Sequence, residues 1–259
     1  MTERARVAVV TGSASGIGLG IVERLVEDGY AAVITDVNEE AGRAQAERLS
    51  ASGGRVAFRR MDVTSEADVD AVVPAIAADL GGIDLFVNNA GIQSHGGIEE
   101  LAFRDWRRVL DVDLDGVFLG MRAAGRVMLA QGSGSIVSIA SVSGERGAPG
   151  RAPYVVSKAG VVALTRVAAV EWSARGVRVN AVAPGYIDTP LLRGAYERGA
   201  ITEEDVLARI PMGRVADVRE IADVVAFLAS PAASYITGHT INVDGGFLVD
   251  YGVGFKRPR

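Results

Sequence analysis

Apolar runs and amphipathic segments alternate along most of the chain. Residues 6–11 (Arg-Val-Ala-Val-Val-Thr) read as a short buried strand. Strands are likewise expected at 31–36, 55–60, 83–87, 135–139, 177–182 and 240–243. Helical spacing fills the intervals. Ile17, Ile21 and Leu25 share one face over residues 16–28, and Gly29 is a plausible stop. Residues 38–52 form a polar-faced helix, and 65–80 a helix with Ser65 as N-cap. Two long helices are expected at 103–131 and 153–175, and another at 217–229. Continuous apolar strands alternating with helices mean an α/β fold whose parallel sheet is covered on both faces. No linker, repeat or low-complexity tract divides the chain, so residues 1–259 are read as one domain. Residues 190–214 sit between a strand and the next core helix and read as a lid of helical excursions.

Composition narrows the chemistry. Hydrophobic residues make up 49% and charged residues 23% of 259, with net charge −5. That is ordinary for a globular protein and offers no basic stripe for nucleic acid. No apolar run approaches the roughly 20 residues of a membrane span. Met1 to Arg6 is short and polar, unlike a signal peptide, and a cytoplasmic location is expected. The absence of cysteine excludes disulfides and thiolate catalysis. His95 and His239 are the only histidines, which argues against a metal site. Among 27 basic residues only Lys158 and Lys256 are lysine. A lysine kept inside a dense motif is therefore informative, because arginine cannot replace its compact ammonium.

The first strand ends in Thr11-Gly12-Ser13-Ala14-Ser15-Gly16-Ile17-Gly18. Glycines there allow a tight turn and let a helix N-terminus approach a pyrophosphate. The GxxxGxG spacing is weak alone, but a strand precedes it and a helix follows. Asp36 ends the second strand, where a carboxylate can accept both ribose hydroxyls and repel a 2′-phosphate. Neighbouring Ser15 and Val37 bring no positive charge, so NAD is expected over NADP.

Tyr154 and Lys158 are four residues apart on one helix face. A free tyrosine ionises near pH 10, so a tyrosine base needs a nearby cation, which Lys158 supplies. With six tyrosines and two lysines, such a pair arises by chance about one time in twenty. Ser141 lies 13 residues earlier, at the carboxyl end of a strand, the edge where parallel sheets bind ligands. Ser138, expected to be partly buried, and Ser143 are weaker candidates for its role.

These motifs, with Asp62-Val63, Asn88-Asn89-Ala90-Gly91, Pro184-Gly185 and Val243-Asp244-Gly245-Gly246, resemble the short-chain dehydrogenase/reductase family in order and spacing. The resemblance covers about residues 5–249 and implies a Rossmann-like doubly wound sheet of seven strands. It implies Tyr154 as general acid/base, Lys158 as its activator and ribose ligand, and Ser141 as substrate-orienting group. It places Gly12, Ser15, Gly16, Ile17, Gly18, Asp36, Asp62, Val63, Asn89, Ala90, Gly91, Pro184, Gly185, Ile187 and Thr189 along the cofactor. Asn88 is expected to tie strands together. One position departs: the family's catalytic Asn, in a V-N-L-x-G-x-F context, is replaced by Asp113 in Val112-Asp113-Leu114-Asp115-Gly116-Val117-Phe118. That Asn holds a water relay to the lysine, and Asp113 could either attract Lys158 through the water or disrupt the relay.

The implied reaction moves a hydride between NAD(H) and the carbinol or carbonyl carbon of a small secondary alcohol or ketone. Gln93, His95, Ser143, Glu145, Arg146, Tyr186, Leu191, Leu192 and Tyr196 are expected around the substrate. A sugar, polyol or cyclic alcohol fits this mixture. A 3-oxoacyl chain on carrier protein is the rival substrate, and an NAD-binding regulator without catalysis the rival class. The resemblance also implies a homotetramer; the two long helices carry small apolar residues suited to close packing, and the tail 247–259 is a candidate for reaching a neighbour.

Overall fold

Seven parallel strands form one sheet in the order β3-β2-β1-β4-β5-β6-β7 in a computed structural model. The strands are β1 (Val7–Thr11), β2 (Ala31–Asp36), β3 (Arg55–Arg60), β4 (Leu85–Asn88), β5 (Gly134–Ile139), β6 (Val177–Pro184) and β7 (Thr240–Val243). The structure describes residues 4–250; of the tail 247–259, expected to reach a neighbour, residues 251–259 lie outside the described residues. Every residue of β1 and β4 is buried, which is why their sequences run apolar without alternation. β3 lies at the sheet edge, and its Arg55, Arg59 and Arg60 are exposed.

Helices cover both faces. α1 (Gly16–Glu27), α2 (Glu39–Ala51) and α9 (Val218–Ala229) bury Ile21, Leu25, Leu49, Ile221 and Val225 against one face. α3 (Glu66–Leu80), α5 (Gly116–Gln131) and α6 (Ala152–Trp172) bury Val69, Val73, Met121, Met128 and Val161 against the other. The chain thus winds both ways from β1, and the strand order reverses between β1 and β4. Side-chain caps fix the helix starts. Asn38 accepts from the Ala41 N–H at 3.1 Å and Ser65 from the Asp68 N–H at 3.2 Å. Asp217 and Glu220 form a capping box at α9.

Two expectations need correction. The helix foreseen over 103–131 is divided into α4 (Phe103–Leu110), a π-helical turn (Asp111–Asp115) and α5. A π turn accommodates one extra residue, and such turns occur often at functional sites. Here Asp111 and Asp115 stay with Arg107 on the solvent side, whereas Asp113 is fully buried. Second, one span, Ala152–Arg175, is long and apolar enough by composition to cross a membrane. It is a core helix, packed on β6 and on the short turn Val142–Gly144, and it buries Lys158. Residues 190–214 contain two short helices, α7 (Pro190–Glu197) and α8 (Glu203–Leu207).

Glycine sets the approach of α5 to the sheet. A Cβ on Gly120 would lie 2.4 Å from Asn88 Oδ1 and 3.0 Å from the Phe86 ring. Alanine would gain helix propensity of about 1 kcal/mol but force a shift in a packed core that costs about 1–3 kcal/mol. Gly120→Ala should therefore lower the thermal midpoint by several degrees; a raised midpoint would show that α5 has room to move.

Candidate active site

The carboxyl ends of β1, β2, β4, β5 and β6 form one edge, and the sequence motifs converge there. After β1, Gly12 and Gly16 take positive φ of 60° and 57°, a region side chains rarely adopt. A Cβ on Gly12 would lie 2.7 Å from Ala90 Cα, and one on Gly18 2.5 Å from Asn89 Nδ2. The loop is thus pressed against the Asn89–Gly91 segment. Thr11 Oγ1 accepts from the N–H groups of Asn89 and Ala90, each at 3.0 Å, while Asn89 Nδ2 donates to the carbonyls of Thr11 and Gly12, each at 2.9 Å. Thr11 was not singled out as a site residue. Its place at the end of a strand, directly before the glycine loop, is the signal that could have found it.

Asp36 closes the other side of this cradle. Its carboxylate accepts from the Ala14 N–H at 3.1 Å and the Asn38 N–H at 2.9 Å. Arg60 is in register with Asp36 on the adjacent strand, but its guanidinium is directed to Asp68, 3.5 Å away. Asp62 binds the N–H and hydroxyl of Thr64 through one oxygen, ordering the turn after β3. Val63 packs on Gly116, where a Cβ would lie 2.9 Å from Val63 Cγ2. On the far side, Gly185 follows β6 and donates its N–H to the Val243 carbonyl at 3.0 Å. Ile187 is buried, and Thr189 caps α7 by accepting from the Leu192 N–H at 3.3 Å.

The second group of residues lies at β5 and α6. Ser141 Oγ accepts from the Ser143 N–H at 3.1 Å, so its own hydrogen is uncommitted. Ser143 thus acts on Ser141 through its backbone. Ser138 is fully buried and accepts from Asn88 Nδ2 at 3.3 Å, a tie between β4 and β5. Tyr154 opens α6, and Lys158 Nζ lies 5.5 Å from its ring centroid. Gly144 admits the Lys158 backbone: a Cβ there would be 2.8 Å from the Lys158 carbonyl carbon.

Lys158 Nζ donates to the Ile139 carbonyl at 3.1 Å and stands 3.2 Å from Asp113 Oδ2. Both side chains are essentially inaccessible, at 4% and 0%. Asp113 Oδ1 accepts from the Ile92 N–H at 2.7 Å, while Oδ2 receives no aligned hydrogen bond, so the contact with Lys158 is an ion pair. Gly91 leaves the room: a Cβ would sit 3.1 Å from Asp113 Oδ2 and 3.4 Å from Lys158 Nζ. Burial pushes the Asp113 carboxyl above its ordinary range, opposed by Lys158 and the Ile92 N–H. Burial alone would push the Lys158 ammonium down. The charges of Asp113 and Tyr154 overcome it and hold the group above the ordinary lysine value.

Gln93, Ser94 and His95 follow β4 and face the β5–α6 loop, joined to it by a hydrogen bond from the Gly96 N–H to the Gly150 carbonyl at 3.1 Å. Tyr186 meets Phe247 edge-on, with centroids 5.6 Å apart. A separate open cavity of about 600 Å³ lies among α1, α2 and α9, remote from this edge. Its Arg48 and Arg219 are already paired with Glu23 and Glu27.

A family model described as enoyl-(acyl carrier protein) reductase matches residues 12–248. The chain belongs to the short-chain dehydrogenase/reductase family. It is similar to the cis-4-hydroxycyclohexanecarboxylate dehydrogenase of Sinomonas cyclohexanicum, 47% identical over 243 residues that cover 93% of this chain and 96% of the relative. It is 38% identical, over 93% of the chain and 96% of the relative, to the 3-oxoacyl-[acyl-carrier-protein] reductase of Chlamydia muridarum. Its fold matches a gluconate 5-dehydrogenase from Burkholderia cenocepacia in complex with NADP and tartrate, at TM-score 0.90, 38% identity and coverage of 96% and 97%. This short-chain alcohol dehydrogenase or carbonyl reductase works with a nicotinamide dinucleotide.

Where the family pattern has an Asn serving a water relay, this enzyme has a carboxylate in direct contact with its lysine. Asp113→Asn removes that charge and leaves the burial. Lys158 should then lose its proton at lower pH, and the alkaline limb of kcat should move to lower pH. Superimposable kcat–pH profiles for the native enzyme and Asp113→Asn would sink this assignment.

Proposed function

We propose that the enzyme oxidises the carbinol of a small cyclic alcohol to the ketone with NAD, using Tyr154 as its acid–base group. The observation that carries this reading is the placement of Tyr154 over the buried Lys158–Asp113 pair, on the same sheet edge as Ser141. The glycine cradle suits a dinucleotide pyrophosphate, since Gly16 opens α1 with nothing within 4 Å of where a side chain would start. When bound, the nicotinamide supplies the hydride acceptor. Ser141 donates its free hydroxyl hydrogen to the substrate oxygen and holds the carbinol. Tyr154 takes the hydroxyl proton as the C–H hydride departs, and the C–O single bond becomes a carbonyl. In reduction Tyr154 returns that proton. Lys158 has one N–H on Ile139 and one facing Asp113, and its third would be available to hold the ribose of a bound nicotinamide beside Tyr154.

Preference for NAD rests on Asp36. Its carboxylate, fixed by two backbone N–H groups, accepts the ribose hydroxyls and repels a 2′-phosphate, and Arg60, committed to Asp68, does not offset that repulsion. The cyclic substrate draws support from the hydroxycyclohexanecarboxylate dehydrogenase relative and from the aromatic wall of Tyr186 and Phe247. α7 and α8 cover the opening as a lid. Assembly as a homotetramer is supported by the exposed apolar side chains of Phe103, Phe118, Val167 and Val170 on α4, α5 and α6. Light scattering at four times the 27.0 kDa chain mass is its check.

Turnover of a panel of ring alcohols, sugars and polyols, with NAD and with NADP, tests the assignment. Cyclic alcohols with NAD should give the highest kcat/KM. Tyr154→Phe should lose about 10²–10⁴-fold in kcat while NADH binding, read by fluorescence, persists. Cofactor binding without turnover of any alcohol would make the chain a regulator. A higher kcat/KM with NADP would overturn the role of Asp36.

A further inference from the structure

Arginine is nearly the only cation of this chain, and most arginines outside the core hold a carboxylate. Arg24 pairs with Asp28 and Asp223, Arg193 with Asp188, and Arg214 with Glu220. Several described arginines do not, and Arg146, Arg151 and Arg198 are among them. Their neighbours Glu145 and Glu197 pair with none of them.

Arg146 and Arg151 share one loop, and Arg151 and Arg198 share His95 as a neighbour. Arg146 and Arg151 lie on the loop between the Val142–Gly144 turn and α6. Arg151 is the N-cap residue of α6, three residues before Tyr154 in the chain. The Gly96–Gly150 hydrogen bond fixes the 92–97 segment beside this loop. Arg198 approaches from the end of α7. It and Arg151 both act on His95, whose imidazole is held below its ordinary pKa first by partial loss of solvent and then by these two charges. The Arg146 guanidinium rests 4.8 Å over the Phe247 ring, which meets Tyr186 edge-on. Three guanidinium groups without a carboxylate partner among the described residues thus lie on the loop before Tyr154 and at the end of α7, one of them resting on an aromatic ring, in a protein of net charge −5.

Uncompensated guanidinium groups beside an acid–base residue match an anion on the substrate. A carboxylate suits the planar guanidinium fork in paired hydrogen bonds. We propose that the substrate ring carries a carboxylate on the side remote from its carbinol, bound by Arg151 with Arg146 and Arg198 flanking it. The proposal rests on the reading of Tyr154 and Ser141 as the reacting end of the site. The ring then lies on the aromatic surface, the carbinol faces Tyr154, and the carboxylate faces the arginine rim. Arg151 is a binding residue, distinct from the proton-transfer machinery.

The test uses the full chain with cis-4-hydroxycyclohexanecarboxylate and its carboxamide, which keeps the ring and removes the charge. The acid should exceed the amide in kcat/KM by about 10- to 100-fold, mainly through KM, as a charge-assisted pair implies. Arg151→Gln should bring the acid-to-amide ratio toward one, and Arg151→Lys should restore part of it. Cyclohexanecarboxylate, which has no carbinol, reads the rim independently of turnover. It should bind the enzyme–NADH complex more tightly than cyclohexanecarboxamide and lose that advantage in Arg151→Gln. Equal kcat/KM for acid and amide, or a ratio indifferent to Arg151, would overturn the carboxylate subsite while leaving the ring-alcohol reading in place. No turnover of any ring alcohol, together with selective carboxylate binding, would overturn that reading and leave the subsite standing. Faster reduction of a 3-oxoacyl chain on acyl carrier protein, with no carboxylate selectivity, would overturn both.

Discussion

Lys158 and Asp113 face each other at 3.2 Å with almost no solvent, and the surrounding backbone is shaped to keep them there. Removing one partner from such a buried pair costs about 3–5 kcal/mol, because the other charge is stranded. The structure surrounds the pair accordingly. Ile92 donates to Asp113, Ile139 accepts from Lys158, and Gly91 and Gly144 remove the side chains that would push the two apart. The π turn brings Asp113 inward, while Asp111 and Asp115 remain outside with Arg107. The elements that meet here, β4, β5, α6 and the π turn, are also those that present Ser141 and Tyr154.

A charged lysine in a dry core is useful only if something stops burial from neutralising it. Arginine would stay charged without help, but its planar fork differs in shape from the compact ammonium held here. Lysine fits and requires a counter-charge. Asp113 provides one with its own charge, whereas an Asn in a water relay provides dipoles. The consequence is an ammonium that persists to higher pH, on the helix that carries Tyr154.

Much of this was legible in the sequence, and the reasons are local. Strand continuity, the glycine loop and the four-residue spacing of Tyr154 and Lys158 depend on near neighbours, and β3 and β7 fall at their expected bounds. The replacement of Asn by Asp113 was equally plain. Its direct contact with Lys158 was not, because that depends on a π turn, and hydrophobic periodicity does not distinguish one wider turn from a continuous helix. The roles of Thr11, Ile92, Ile139 and Gly144 were also hidden, since most of them act through backbone groups or empty space. The grouping of Arg146, Arg151 and Arg198 arises between segments far apart in sequence, and composition alone showed only an excess of arginine.

Composition does give one experimental advantage: Lys158 and Lys256 are the only lysines. Labelling lysine with ¹⁵N yields two side-chain signals, and Lys256→Arg assigns them. If Asp113 keeps Lys158 charged, its ammonium should persist above the ordinary lysine value of about 10.4 in the native enzyme. In Asp113→Asn it should titrate below that value. A Lys158 that loses its proton below the ordinary value in the native enzyme, or whose titration ignores residue 113, would contradict the ion pair as the basis of the site.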